Sequence, residues 1–420
     1  MEILQSVWEL AARAEAALAP RFADVERVSF ENTKKVLDAF RDHRVSEAMF
    51  APTSGYGYDD RGRDTLDAVW AQVMGAEAAF VRHSIVSGTH ALTIGLFGLL
   101  RSGDILFSIA GKPYDTLDEV IGNTGTPGNG SLRDFGVEYR QADLLEDGGF
   151  DVEAIRRMLT QEGERVKVVF IQRSKGYLNR KTLSVDEIGA IIAFVKSLVP
   201  DCYAVVDNCY GEFTETREPT AVGADLIIGS LIKNPGGGMA ETGGYLAGTQ
   251  RAVELASYRL TSVGTGLETG ASLGQTKLMF KGLFYAPHTT AEALKTAHLA
   301  AYMFGPDGLG FEVEPHWNET RHDIIQAVIT HDPNGLCAIC RGIQAGSPVD
   351  SFVTPEPWAM PGYSDAVIMA AGAFTQGSSI ELSADGPMRE PYIAYLQGGL
   401  TYESGKLGML YAASEVLRSR

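Results

Sequence analysis

Residues 223–238 read Gly223-Ala224-Asp225-Leu226-Ile227-Ile228-Gly229-Ser230-Leu231-Ile232-Lys233-Asn234-Pro235-Gly236-Gly237-Gly238, and the fold is decided there. Residues 225–228 read as a short buried strand, its apolar Leu226-Ile227-Ile228 run set between glycines, the pattern of a strand covered on both faces. The run gives out at Gly229-Ser230, a lysine follows, and Asn-Pro-Gly-Gly-Gly then blocks any regular element. A lysine at a buried strand end, with Ser230 three residues before it, suits Schiff-base chemistry. Burial disfavours the ammonium form, and the neutral amine is the nucleophile that condenses with an aldehyde.

Working outward, Val205-Val206-Asp207-Asn208-Cys209 is a second buried strand, and it ends in an acid. An aspartate there, one strand before the lysine, fits the carboxylate that pairs with the pyridinium nitrogen of pyridoxal phosphate (PLP). Further upstream, Ser87-Gly88-Thr89-His90-Ala91 opens an apolar helical run. Small residues at a helix start leave backbone N–H groups and a positive dipole end free to face a phosphate. All three segments fall at predicted strand ends. Strands alternating with helices predict a largely parallel sheet covered on both faces, with its ligand at the C-terminal ends of the strands.

Composition narrows the classes. A chain of 420 residues exceeds one typical core, so two domains are expected, with an N-terminal arm. The net charge of -17 argues against nucleic acid and against an anionic membrane surface, since both require clustered Lys and Arg. The N-terminus shows no basic region followed by an apolar one, no apolar run approaches membrane-spanning length, and a cytoplasmic protein is expected. Cys337 and Cys340 have the spacing of a redox or metal clip. Without a second Cys/His pair nearby they read as structural thiols, on a half-buried strand over residues 335–340, and no metal is expected.

The pattern along the chain gives two helices up to about Arg44, then a Gly/Tyr/Pro-rich loop over residues 49–60 and a helix over 64–74 closed by Gly75. Strands follow at 79–81, 105–108, 166–171, 205–206, 226–228 and 244–247. Ser184 and Glu187 predict a capping box for a helix through Leu198. After Arg251 comes a helix-rich stretch. From Phe311 short strands with Pro and Gly turns lead to a final helix over residues 402–418. The division expected is a helical arm with a phosphate-reaching loop at 1–64, a cofactor-binding large domain at 65–300 and a smaller α+β C-terminal domain at 301–420.

Taken together, Asp207-Asn208-Cys209-Tyr210-Gly211-Glu212-Phe213, residues 229–238 and Gln172-Arg173-Ser174-Lys175-Gly176-Tyr177 resemble the fold-type-I PLP enzymes. Within them the chain is similar to the cystathionine lyase and methionine gamma-lyase group, and most similar to its methionine gamma-lyase-like "aluminium resistance protein" branch. The resemblance covers most of the chain. It implies the PLP-dependent transferase-like fold, pyridoxal 5'-phosphate as cofactor, and a homodimer or homotetramer with shared active sites. It also implies carbon–sulfur lyase activity, by β- or γ-elimination, on a sulfur-containing amino acid such as cystathionine or methionine. Other activities carried by the same scaffold are an aminotransferase, an aldolase or a PLP-fold binding protein without turnover.

Carried over residue by residue, Lys233 is the Schiff-base lysine and proton-moving base, and Asp207 the pyridinium partner. Ser87, Gly88, Thr89 and Ser230 form the phosphate cup. Tyr114 is the ring stacked on the cofactor, with His90 as the alternative. Tyr56, Tyr58, Arg61 and Arg63 resemble the Tyr-x-Arg segment that crosses from a neighbouring subunit to the phosphate. Two positions depart from the family. Ile232 stands where the lyases carry a hydroxyl residue, and Glu381 stands near the place of the arginine that clamps the substrate carboxylate. That task then falls to Arg389, Arg173 or Lys175.

Overall fold

A computed structural model of the chain describes residues 2–360 and 365–420. Strands β1 (Ala78–Arg82), β2 (Ile105–Ser108), β3 (Glu138–Gln141), β4 (Val166–Gln172), β5 (Tyr203–Asp207), β6 (Leu226–Ser230) and β7 (Gly244–Gly248) make one sheet in the order β1-β7-β6-β5-β4-β2-β3. Only β7 runs against the others, antiparallel to both β1 and β6. The central strands are apolar on both sides because both sides are covered. Leu226 and Ile228 join one core with helices α3 (Gly88–Leu99), α4 (Asp115–Ile121) and α7 (Gln250–Leu260). Ile227, between them, joins the other with α2 (Arg61–Met74), α5 (Val152–Glu162) and α6 (Val185–Leu198). Each such side chain buried adds about 1.5–3 kcal/mol to the driving force for folding.

The C-terminal region builds a second sheet from β8 (Glu312–Glu314), β9 (Gln326–Ile329), β10 (Trp358–Ala359), β11 (Ala366–Ala370), β12 (Ser383–Pro387) and β13 (Ile393–Gln397). It is ordered β10-β11-β12-β13-β9-β8 and antiparallel throughout. Helices α9 (Pro333–Ala345) and α10 (Tyr402–Ser419) share its core. Two long helices, α1 (Gln5–Asp42) and α8 (Thr276–Phe304), tie the units together. Val7 to Leu18 of α1 and Leu299 to Phe304 of α8 pack in the C-terminal core. Val36 and Ala39 of α1, with Met279 to Ala286 of α8, pack in the large one. The result is the expected α/β large domain with a smaller α+β domain.

Three local expectations are corrected. The two N-terminal helical patterns are one helix of 38 residues running through Pro20. Its missing hydrogen bond is tolerated because both halves are anchored on separate cores. Residues 335–340 are helical, not a strand. Asp332 accepts the Asn334 and Gly335 N–H groups at 3.1 Å each, Pro333 sits at the first helical position, and Leu336, Ile339, Cys340 and Ile343 face inward at helical spacing. Helix α2 begins at Arg61, three residues earlier than expected, because Asp60 caps it by accepting the Arg63 N–H at 2.9 Å. The capping box of α6 is as expected, with Ser184 and Glu187 bonded reciprocally at 2.8 and 3.1 Å.

Candidate active site

Helix α3 starts at the C-terminal end of the large sheet, so its first amides point along the edge where β5 and β6 end. Ser87 is its cap, and the Ser87 hydroxyl accepts the His90 N–H at 3.0 Å. The N–H groups of Gly88 and Thr89 precede the first intrahelical bond and have no partner among the described residues. A Cβ placed on Gly88 would lie 3.6 Å from both Cys209 Sγ and Ser230 Cβ and 4.0 Å from Lys233 Nζ. The helix start, the β5 end and the β6 end thus converge on one point. Gly88, Thr89, Tyr114, Gln172, Asp207, Cys209, Tyr210 and Lys233 line one cavity there.

Lys233 Nζ makes no hydrogen bond among the described residues. It lies 4.2 Å above the centre of the Tyr210 ring. Tyr210 itself adopts φ +71, a left-handed conformation that costs a tyrosine backbone strain. The turn is held by Asn234, whose side-chain amide donates to the Tyr210 and Glu212 carbonyls at 2.9 and 3.1 Å. Burial lowers the pKa of the lysine, but Cys209, Tyr210, Asp207 and Glu212 around it outweigh burial and raise it. This corrects the expectation that burial keeps the amine neutral. Before any aldehyde enters, the amine is held as an ammonium among acids.

Asp207 is buried, and burial pushes its carboxyl up against the pull of Lys233, the Cys209 N–H at 3.1 Å and the Arg180 guanidinium. Glu212 lies beneath β6, where burial raises it to about 8, and it accepts the Tyr245 hydroxyl at 2.9 Å. Gly229 must be glycine because a Cβ there would fall 2.4 Å from both Glu212 Oε1 and the Tyr245 ring. Arg180, Tyr210 and Glu212 were not singled out as site residues in the sequence. Tyr210 and Glu212 lie within five residues of Asp207, which is the one signal that could have marked them.

The remaining candidates divide. Tyr114 lines the cavity, its N–H bonded to Gln172 Oε1 at 2.6 Å, while the His90 ring turns away to accept the Val86 N–H at 3.2 Å. Of the two expected stackers, only Tyr114 faces the site. Arg173 is fully buried. Its guanidinium bonds Asn208 Oδ1, the Gly211 carbonyl, Glu215 and Thr214 at 2.7–3.3 Å, with Glu218 at 3.4 Å. Lys175, also fully buried, donates to the Glu314 carbonyl at 2.9 Å. Neither is free to clamp a substrate carboxylate, so both are corrected to structural groups. Arg389 is exposed and paired with Asp365 at 3.0 Å. Arg63 is buried as well, donating to the Gly57 and Gly270 carbonyls. Arg61 is exposed with no partner among the described residues. Tyr56 and Tyr58 stack on each other, 74% and 61% exposed. Glu381 accepts the N–H groups of Phe374 and Thr375 at 2.7 and 2.9 Å, so it shapes a loop. No group of residues that could hold a metal is found among the described residues.

The site fits a phosphorylated aldehyde. Ser230 Oγ is buried with no hydrogen-bond partner among the described residues, next to the two free amides of α3, which leaves three neutral donors for an anion. The neighbouring amine and the carboxylate of Asp207 suit an aldehyde and a ring nitrogen.

Cup, acid and lysine converging at one end of a mostly parallel sheet, beside a smaller domain, define the class of fold-type-I PLP-dependent enzymes. The methionine gamma-lyase family model matches residues 7–417, and the chain belongs to that family. It is 49% identical over 410 residues to the uncharacterized protein YnbB of Bacillus subtilis, covering 98% of this chain and 96% of that one. The crystal structure of a carbon-sulfur lyase involved in aluminum resistance from Clostridium novyi is 51% identical, with a TM-score of 0.94 over 98% of this chain and 96% of that one. More distantly, the PLP-dependent protein YhfS of Escherichia coli shares the fold at 16% identity, with a TM-score of 0.61 over 95% and 97% of the two chains.

Proposed function

We propose that the chain is a PLP-dependent carbon–sulfur lyase that eliminates a thiol from the β- or γ-carbon of a sulfur-containing amino acid such as cystathionine or methionine. The observation that carries this reading is an amine, Lys233 Nζ, beside a buried hydroxyl, Ser230 Oγ, and two helix amides, none of which has a hydrogen-bond partner among the described residues. When bound, PLP supplies the aldehyde that the lysine takes and a ring that accepts the electron pair released at the substrate Cα. Lys233 removes the Cα proton and returns protons where needed. Asp207 holds the proton on the ring nitrogen, Tyr114 covers the ring, and Gly88, Thr89 and Ser230 bind the phosphate. Tyr58 and Arg61 reach that phosphate from a second copy of the chain, in a homodimer or homotetramer. Of the cations expected at the substrate carboxylate, Arg389 remains, with Tyr56 of the second copy at the entrance.

The test is direct. Purified protein should be yellow, and borohydride should bleach the visible band while fixing the cofactor to Lys233. A label mapped to another lysine ends the reading. A panel of sulfur amino acids should release pyruvate or 2-oxobutyrate with ammonia. Amino-group exchange without ammonia would point to an aminotransferase instead.

A further inference from the structure

Among the described residues the Lys233 amine forms no hydrogen bond and no ion pair, and its Nζ stands 4.2 Å above the centre of the Tyr210 ring. Both side chains line the cavity. An ammonium within about 6 Å of an aromatic face is attracted by the ring's negative face, most strongly where water is excluded. Tyr210 is a costly choice for packing alone. Its φ of +71 lies in the left-handed region, which glycine or asparagine adopts far more readily than an aromatic residue. The chain nevertheless fixes it there. Asn234, the residue after Lys233, donates to the Tyr210 carbonyl at 2.9 Å, so the lysine and the ring are tied across the turn. Tyr210 also packs against two apolar clusters, one containing Ile324 and Ile380 and the other Ile325, Ile329 and Ile393, so it is held from the small domain as well. The acids around the amine are Asp207 at the end of β5 and Cys209 and Glu212 in the turn after it. They favour its charged form without bonding it.

We propose that the Tyr210 ring is the seat of the Lys233 ammonium, holding the proton on the amine whenever the lysine is free of the cofactor. Tyr210 is then a positioning residue that acts through Lys233. The proposal rests on the part of the lyase reading in which Lys233 takes an aldehyde and later the Cα proton. Both steps pass through the free lysine. The amine gives up its proton, and with it the attraction of the ring, before it attacks the aldehyde. When it takes the Cα proton, the C–H bond breaks, the electron pair stays on the carbon side, and Nζ becomes the ammonium that the ring receives. The phenol hydroxyl has no part in this, so phenylalanine should serve in its place and an aliphatic side chain should not.

The test keeps the shape of the ring and changes its charge. Phenylalanine carrying none, one, two or three ring fluorines is placed at position 210 of the full chain. Each fluorine weakens the negative face with little change in size. In the cofactor-free protein, trace labelling with acetic anhydride and peptide mapping gives the reactivity of Lys233 at pH 8, because only the unprotonated amine reacts. Tyr210→Phe should match wild type within about twofold. Reactivity should then rise with each fluorine, to about three- to tenfold for the trifluorinated ring, the proton affinity that one cation–π contact supplies. Tyr210→Leu should rise by as much, and the near-isosteric fluorinated series keeps the test intact if that variant folds poorly. Reactivity that ignores fluorine number, or falls with it, overturns the seat. The rate at which added PLP is captured, read from growth of the visible band, should follow the same order. Graded acetylation with an even capture rate also overturns the proposal, because the seat would then not govern the step assigned to it. A wild-type chain that captures no PLP defeats the PLP reading instead, and acetylation still decides the role of the ring.

Discussion

Lys233 and Lys175 are both enclosed lysines just beyond the ends of strands in the same sheet, and they have opposite environments. Lys175 is spent. Its ammonium donates to the Glu314 carbonyl, and burial lowers its pKa against the pull of Asp323 and Glu314. It belongs to a seam of buried charge between the two domains, in which Arg173, Glu215, Glu218 and His322 are bonded to one another. Lys233 has no hydrogen bond among the described residues, a ring beneath it, and acids that raise its pKa. Burial alone therefore does not mark the reactive lysine. Unmade bonds do, because a native fold rarely leaves buried polar groups unsatisfied without a ligand to meet them.

The sharpest way to break that contrast is to remove each lysine in turn. Lys233→Ala should lose turnover by several orders of magnitude, since nucleophile and base are one group, while its melting temperature stays close to that of wild-type apoprotein. Lys175→Ala should do the reverse. It leaves the Glu314 carbonyl without its donor and removes one of the two cations, Lys175 and Arg321, that favour ionised Asp323, at a cost of about 3 kcal/mol, and keeps its kcat per folded molecule. Thermal melts and active-site-titrated rates on both variants decide it. A stable, inactive Lys175→Ala would erase the distinction.

The acid beside Lys233 comes next. Asp207→Asn should keep the fold and lower kcat about 100-fold or more, the usual size of a lost proton-holding group. A near-normal rate would mark Asp207 as structural. Third comes the loop. Arg63 is tied down by backbone carbonyls and Arg61 is not, so Arg61→Ala alone should weaken cofactor binding about 10- to 100-fold, the range of one charge-assisted contact. Mixing inactive Lys233→Ala with Arg61→Ala after mild dissociation should restore activity in hybrids, each with one unaltered site. Hybrids that form and stay inactive would mean the loop serves its own subunit.

The same contrast explains what could be read from the chain. Lys233, Asp207 and the Gly88–Thr89 start were legible because each follows a short apolar strand cut off by glycine, polar or capping residues, and the sheet then sets them side by side. Their surroundings were not legible. Arg173 is satisfied by residues 35 to 45 positions away, which no local pattern announces. Asp385 gains its place from Tyr395, its partner across the strand pairing. The reversed direction of β7 has no signature in an apolar run buried on both faces. The helix at residues 333–345 did carry one, the Asp332-Pro333 start, which a short Leu-Cys-Ala-Ile-Cys run masked as a strand.

The smallest effect expected belongs to the satisfied seam, and it is read through pH. Burial works against ionised Glu215, but the His322 ring at 3.0 Å and Arg173 at 2.7 Å overcome it and hold the carboxyl down to about 2. Because the folded pKa lies below the ordinary 4.5, the unfolded chain binds the extra proton first as acid is added. The stabilisation is therefore whole above about pH 4.5 and drains away as pH falls toward 2. Its size is on the order of 1–3 kcal/mol, since the side chain is only about a quarter exposed. Glu215→Gln should lose that amount at pH 7 and show a flatter stability profile between pH 5 and about 3 in urea titrations. Unfolding curves that keep the wild-type slope in acid would show that the seam's acid sensitivity lies in other carboxylates.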